Sequence, residues 1–187
     1  MKRPLLIVSL LTALGLFVHW LSGLREEAKQ ESAEAARHVA EYFLRDFTTT
    51  TMDPQGRPEQ RLAAELMLRY ADDGSMELTE PRLTLYGETD NVAPWQIDAA
   101  HGHISGDGKQ VQLRGGVRMT RMEDDGMLEL ITDDLLLMPK ERYAETDAPL
   151  TVTYPQGQLD AVGLRAYMQD ERLVLLAQVR GNYVPSH

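Results

Sequence analysis

The chain has 187 residues, no cysteine and a formal charge of −10, room for one modest domain plus accessory segments. Lack of Cys excludes a disulfide framework, thiolate zinc sites, thiol catalysis and a lipidated N-terminal cysteine. All 29 acidic residues but only 17 of the 19 basic ones follow Leu24, so that part carries 17 − 29 = −12. Such a body is not built for nucleic acid, whose affinity rests on phosphate contacts.

Pro4 to Leu24 contains no charged residue. As a helix it would be ~31 Å long, matching a hydrocarbon core of ~30 Å. Lys2 and Arg3 precede it, which by the positive-inside rule sets the N-terminus in the cytoplasm and the bulk outside. A cleaved signal peptide is the alternative, but Leu21-Ser22-Gly23 is a poor processing site and the apolar run is long for one. Around the helix, Ser9, Thr12, Gly15, His19, Ser22 and Gly23 share one side, opposite Leu6, Leu10, Phe17, Trp20 and Leu24. Small and hydroxylated residues let helices approach closely in lipid, so this stripe points to partner helices in the membrane.

From Arg25 to about Phe47 the sequence is rich in Glu, Ala, Lys, Gln and Arg and has neither Gly nor Pro, a composition that favours helix. Val39, Phe43 and Phe47 recur at spacing four, enough to dock a stalk but not to make a coiled coil.

Past Phe47 the period changes to two. In Arg61 to Tyr70, Leu62, Ala64, Leu66, Leu68 and Tyr70 fall on one face. Met76 and Leu78, then Leu83 and Leu85, continue with a phase change near Pro81. Trp95, Ile97 and Ala99, then Val111 and Leu113, then Val117 and Met119 follow suit. Asp53-Pro54-Gln55-Gly56, Asp72-Asp73-Gly74, Gly106-Asp107-Gly108 and Asp124-Asp125-Gly126 are turns, Gly supplying the positive φ of tight hairpins. The expectation is an antiparallel meander of eight to eleven strands folded into a two-layer roll. Ile97 to Arg118 also overlays Leu159 to Arg180 without a gap, with five identities in 22 positions, which suggests a repeated hairpin. The inward positions are Leu, Val, Ala and Met with few aromatics. They make either an ordinary aliphatic core or a pliable slot.

No nucleophile-base-acid order, phosphate-binding loop or dinucleotide motif is present. His101 and His103 share a strand parity but lie beside a turn and read as solvent-facing loop residues. The acidic pairs before Gly74 and Gly126 are explained by turn formation. Asp133-Asp134 lacks the spaced ligands of a calcium loop. No enzyme, metal or cofactor is expected.

Several segments together resemble the LptC family of lipopolysaccharide-export proteins. They are Asp53-Pro54-Gln55-Gly56 followed by Arg61-Leu62-Ala63-Ala64, then Trp95-x-Ile97-x-Ala99, Asp107 and Leu113-x-x-Gly116-Val117, then Thr132-Asp133 and Gly163-Leu164. The resemblance covers residues 1–184. The helix-prone connector and the Gly115-Gly116 pair depart from the family pattern.

The resemblance implies a twisted, open antiparallel β-jellyroll behind one N-terminal transmembrane helix, with segments at 1–24 (membrane), 25–46 (helical or flexible connector), 47–184 (periplasmic lipid-binding domain) and 185–187 (tail). It implies an inner-membrane protein that takes lipopolysaccharide from the LptB–LptF–LptG transporter, through its transmembrane and β domains, and passes it to LptA. On that reading Leu66, Leu68, Leu78, Leu85, Ile97, Leu113, Val117, Leu130, Leu175 and Val179 line the lipid slot. Ser9, Thr12, Gly15, His19 and Ser22 pack the membrane helix on its partners, and Leu173, Leu175, Val179 and Tyr183 form the edge that meets the next β protein. Gly56 and Gly163 serve backbone geometry. Unpaired edges also make a homodimer conceivable. The rival functions are a membrane-anchored envelope scaffold with a filled core and an anchored hydrolase. The hydrolase is disfavoured for want of a catalytic set.

Overall fold

Eleven β-strands make up one antiparallel sheet in the computed structural model, which describes residues 39–87 and 92–183. Five long strands follow a pair of long strands and four short ones: β1 (Ala40–Met52), β2 (Pro58–Tyr70), β3 (Met76–Thr79), β4 (Arg82–Leu85), β5 (Trp95–Asp98), β6 (His101–Ile104), β7 (Val111–Glu123), β8 (Gly126–Met138), β9 (Tyr143–Tyr154), β10 (Gly157–Tyr167) and β11 (Arg172–Tyr183). A single 3-10 turn, Pro139–Glu141, joins β8 to β9. The short strands pair end to end: β3 and β4 lie along successive halves of β2, and β6 and β5 along successive halves of β7. Each short pair is thus one broken strand, and the sheet is an up-and-down meander in which every row follows its predecessor in sequence. The expected all-β, antiparallel roll is what forms.

Nearly every row is interrupted near its middle. Asp46 in β1 and Gln178 in β11 have left-handed φ, as do Glu80 between β3 and β4 and the Gly115-Gly116 pair in β7. Register shifts occur at the middle of β7–β8, β8–β9, β9–β10 and β10–β11. The β5/β6 break at Ala99-Ala100 is stitched to its neighbours, Glu80 N–H donating to Ala100 O at 2.9 Å and Ala100 N–H to Gly115 O at 3.1 Å. Bulges bend strands and increase their twist. Aligned across the rows they form a crease, and each long strand contributes one half to either side of it.

The halves meet over an apolar interior. Its main cluster runs from Leu83 to Met168 and includes Val117, Met119, Leu135, Leu137 and Leu164, which are fully buried. A smaller cluster of Ala64, Met67 and Leu78 packs with Phe47, Leu62, Met76 and Ile104. Each fully buried Leu, Val, Ile or Met there contributes roughly 1.5–3 kcal/mol.

Three expectations need correction. The connector was expected to remain helical or flexible to residue 46, yet β1 begins at Ala40 and pairs with β2 from Ala40↔Tyr70 to Met52↔Pro58. Helix propensity is a weak prior. Here a neighbouring strand supplies the backbone partners, Phe47 packs on the smaller cluster, and the β-branched run Thr48–Thr51 suits a pleated surface. The alternation in sequence puts Leu66 and Leu68 inward, but the buried residue between them is Met67, directly opposite Leu78. The alternation reverses between Ala64 and Met67, where β2 leaves β4 for β3 at the crease. His101 and His103 sit in strand β6 rather than in a loop, on its polar side, with His103 Nδ1 2.8 Å from Glu77 Oε1.

Candidate functional site: an apolar interior between a mouth and two open edges

Of the ten residues expected to line a slot, Leu78, Leu85, Ile97, Leu113, Val117 and Leu130 converge in the buried interior. Leu175 is half-buried and packs on the main cluster from the edge strand. Leu66 and Leu68 are half-buried on the wrong parity, and Val179 is 51% exposed. Five of the six buried residues pack side chain on side chain in the main cluster, the form a filled core takes, while Leu78 belongs to the smaller one. Ser9, Thr12, Gly15, His19 and Ser22 lie outside the described residues. So do the expected membrane helix and the tail beyond Tyr183.

Opposite the crease the far ends of the two halves are tied by side chains that sequence reasoning passed over. Arg121, on β7, continues the inward parity of Val117 and Met119 and is 6% exposed. Its guanidinium reaches Glu123 at 2.6 Å and, from the turn between β10 and β11, Glu171 at 3.1 Å. It also stands over the Trp95 ring at 5.0 Å. Burial opposes its charge, but the Glu123 hydrogen bond outweighs this and raises its pKa. Arg142 makes a second tie. Its guanidinium donates to the carbonyl of Tyr86 at the end of β4, while its own carbonyl accepts from Met168 N–H at the end of β10. A cation at an inward position in an otherwise apolar alternation was the signal available for Arg121.

Beside the Arg142 tie is a cavity of about 530 Å3 lined by Leu85, Tyr86, Pro94, Arg57, Lys140 and Arg142, among others. It gathers three basic residues with the carboxylates of Asp53 and Glu59 around the end of β4. A groove of about 460 Å3 lies on the outer face, lined by Glu77, His101, His103, Gln112 and Arg114. There Gln112 donates to Asp134, and Arg114 stands 3.9 Å from the same carboxylate. Among the described residues no three His, Asp or Glu side chains converge as metal ligands.

The sheet does not close on itself among the described residues. β1 pairs only with β2, and β11 only with β10. Both edges carry exposed apolar residues, Phe43 and Leu44 on β1 and Val174, Leu176 and Val179 on β11. A long open edge is a template for another strand unless it is blunted.

The sequence profile of a family described as lipopolysaccharide-assembly, LptC-related, matches residues 6–184. The chain belongs to that family. The lipopolysaccharide export system protein LptC of Escherichia coli K12 is 22% identical over 173 residues, covering 91% of this chain and 90% of that protein. The protein of the same name from Shigella flexneri matches to the same extent. An LptC-family assignment gives the all-β roll a role in lipopolysaccharide export.

Proposed function

We propose that this LptC-family protein is a non-catalytic, inner-membrane-anchored carrier in the periplasm. It takes lipopolysaccharide from an LptB–LptF–LptG transporter and passes it to LptA. The observation that carries the reading is the open roll: an apolar interior whose two halves are joined by a crease on one side and by side-chain ties on the other. Pro4–Leu24 anchors the chain, and the stripe Ser9, Thr12, Gly15, His19 and Ser22 packs on transporter helices.

The physical need is large. At ~0.8 kcal/mol per CH2, exposing one ~12-carbon acyl chain costs on the order of 10 kcal/mol. A carrier must therefore replace water with apolar side chains along the whole route. Parting the halves at the mouth would offer acyl chains Leu85, Ile97, Leu113, Val117 and Leu130. Strand addition at the two edges would place this interior in line with those of neighbouring rolls. Nothing here hydrolyses; ATP used by the transporter supplies direction.

Photo-reactive residues at the half-buried inward sites Leu62 and Leu175, and at their outward neighbours Arg61 and Val174, test this in living cells. Lipopolysaccharide adducts are expected at the first pair and not at the second. Folded protein at normal abundance with no adduct at either inward site would overturn the carrier reading. It would favour a membrane-anchored scaffold, the alternative supported by the complete burial of Val117, Met119, Leu135 and Leu137.

A further inference from the structure

We infer that the free edge of β11 is shaped to take an antiparallel strand of a second protein in the register in which β8 sits on β7, with a carboxylate of that strand on Arg180. The inference rests on reading β11 as the partner edge and specifies how that edge is occupied.

The internal overlay of Ile97–Arg118 on Leu159–Arg180 places β7 on β11, and the structure makes the two strands equivalent in detail. Counted against the strands before it, β7 carries one extra residue between Arg114 and Arg118, and β11 one between Ala177 and Arg180. At the overlaid positions Gly116 and Gln178 both have left-handed φ. Ahead of the bulge, Val111 and Leu113 correspond to Leu173 and Leu175; beyond it, Val117 and Arg118 correspond to Val179 and Arg180.

The strands differ in what covers them. β8 lies along the second side of β7, pairing Val111 with Leu137, Leu113 with Leu135 and Val117 with Thr132. Along β11 no described residue takes that place. Accordingly Val117 is 0% exposed and Val179 51%, while Leu173 and Leu175 are only half covered, although both pack on the main cluster. β11 is thus built like a covered strand, and no described residue covers it. The apolar residues on an incoming strand that face Leu173 and Leu175 would extend the interior across the junction.

Charge adds a requirement. On β8, Glu129 lies two residues before Ile131, the residue opposite Arg118, and its carboxylate is 2.9 Å from the Arg118 guanidinium. Arg180 is exposed and makes no ion pair among the described residues. Moreover β11 contains Arg172 and Arg180 and no Asp or Glu, in a body that is strongly acidic. The incoming strand should therefore carry Asp or Glu two residues before the one that faces Arg180. A bound pair of this kind fixes register as well as partner.

The test uses the full chain in cells, with photo-reactive residues at Leu173 and at Val179 and the adducts mapped by mass spectrometry. The peptide caught from Leu173 is expected to lie C-terminal, on the partner, to that caught from Val179. Arg180→Glu should cut the Val179 adduct roughly five-fold, and Arg180→Lys should largely retain it, with abundance and protease resistance unchanged. A reversed peptide order, an undiminished adduct in Arg180→Glu, or an adduct of two copies of this chain would each overturn the inference while leaving β11 a docking edge. No protein adduct from either site would instead remove the partner-edge reading on which it stands.

Discussion

Asp107 shows how much one carboxylate can organise in a turn. Its Oδ1 accepts from the Ser105 hydroxyl at 2.7 Å and from Lys109 N–H at 3.0 Å, and its Oδ2 stands 3.3 Å from Lys109 Nζ. These contacts, the Ser105 hydroxyl first, hold its pKa at about 2 against an ordinary 3.8. A carboxylate whose folded value is depressed stabilises fully above its unfolded value and loses that contribution as pH falls through the folded one. The stability difference between wild type and Asp107→Asn, measured by urea unfolding of the full chain in detergent, should be constant above pH 3.8 and vanish towards pH 2. A pH-independent difference would show that its charge does not hold the turn. This turn, like that of Asp53, whose side chain accepts from Gln55 and Arg57 N–H, was legible because Asp-Gly chemistry is local. Arg121 was not, because its partners Glu171 and Trp95 are distant in sequence and only the folded sheet brings them together.

The crease decides which residues each strand presents to the interior. Period two identified the strands, since alternation survives within each half. The side on which each half faces was harder to read: the inward parity reverses between Ala64 and Met67 and across Glu80-Pro81, yet Val111, Leu113, Val117 and Met119 keep one parity through the Gly115-Gly116 bulge, with no shared residue signature. That is why Leu66 and Leu68 were misplaced while Leu78 and Leu85, on either side of the noted phase change, were not. A different cause hid the start of β1, whose composition reads as helix until β2 lies beside it and supplies the backbone partners. Gly116 has φ +66 and open space at its Cβ position, whereas a Cβ at Gly115, φ +82, would come 3.0 Å from that of Ala100. Left-handed backbone costs an L-residue roughly 1–2 kcal/mol. Gly116→Ala should therefore lower stability by about 1 kcal/mol and Gly115→Ala by more, read from urea midpoints at unchanged slope. Two neutral substitutions would mean that the bend does not depend on glycine.

On the scale of the whole molecule, a filled interior and a lipid cargo are compatible only if the halves can part, and the ties at the mouth determine how easily. Crease and mouth are not equivalent. The strands themselves run through the crease, where backbone hydrogen bonds join neighbouring rows, while Arg121–Glu171 and Arg142–Tyr86 join the far ends through side chains. Breaking a buried ion pair costs ~3–5 kcal/mol when it strands a charge in the interior. At this mouth the carboxylates of Glu123 and Glu171 remain partly in water, at 37% and 57% exposure, so removing Arg121 strands neither. Arg121→Met is therefore expected to cost less, about 1–2 kcal/mol, and to leave the sheet formed. Its effect should be local: faster hydrogen exchange in the β10–β11 turn and around Trp95, with the β7–β8 ladder at the crease unchanged. If acyl chains enter at this mouth, the same variant should raise the lipopolysaccharide adduct at Leu175. Faster exchange without more adduct would place entry at the strand edges instead. Exchange unchanged at the β10–β11 turn would show that Arg121 does not hold the mouth shut.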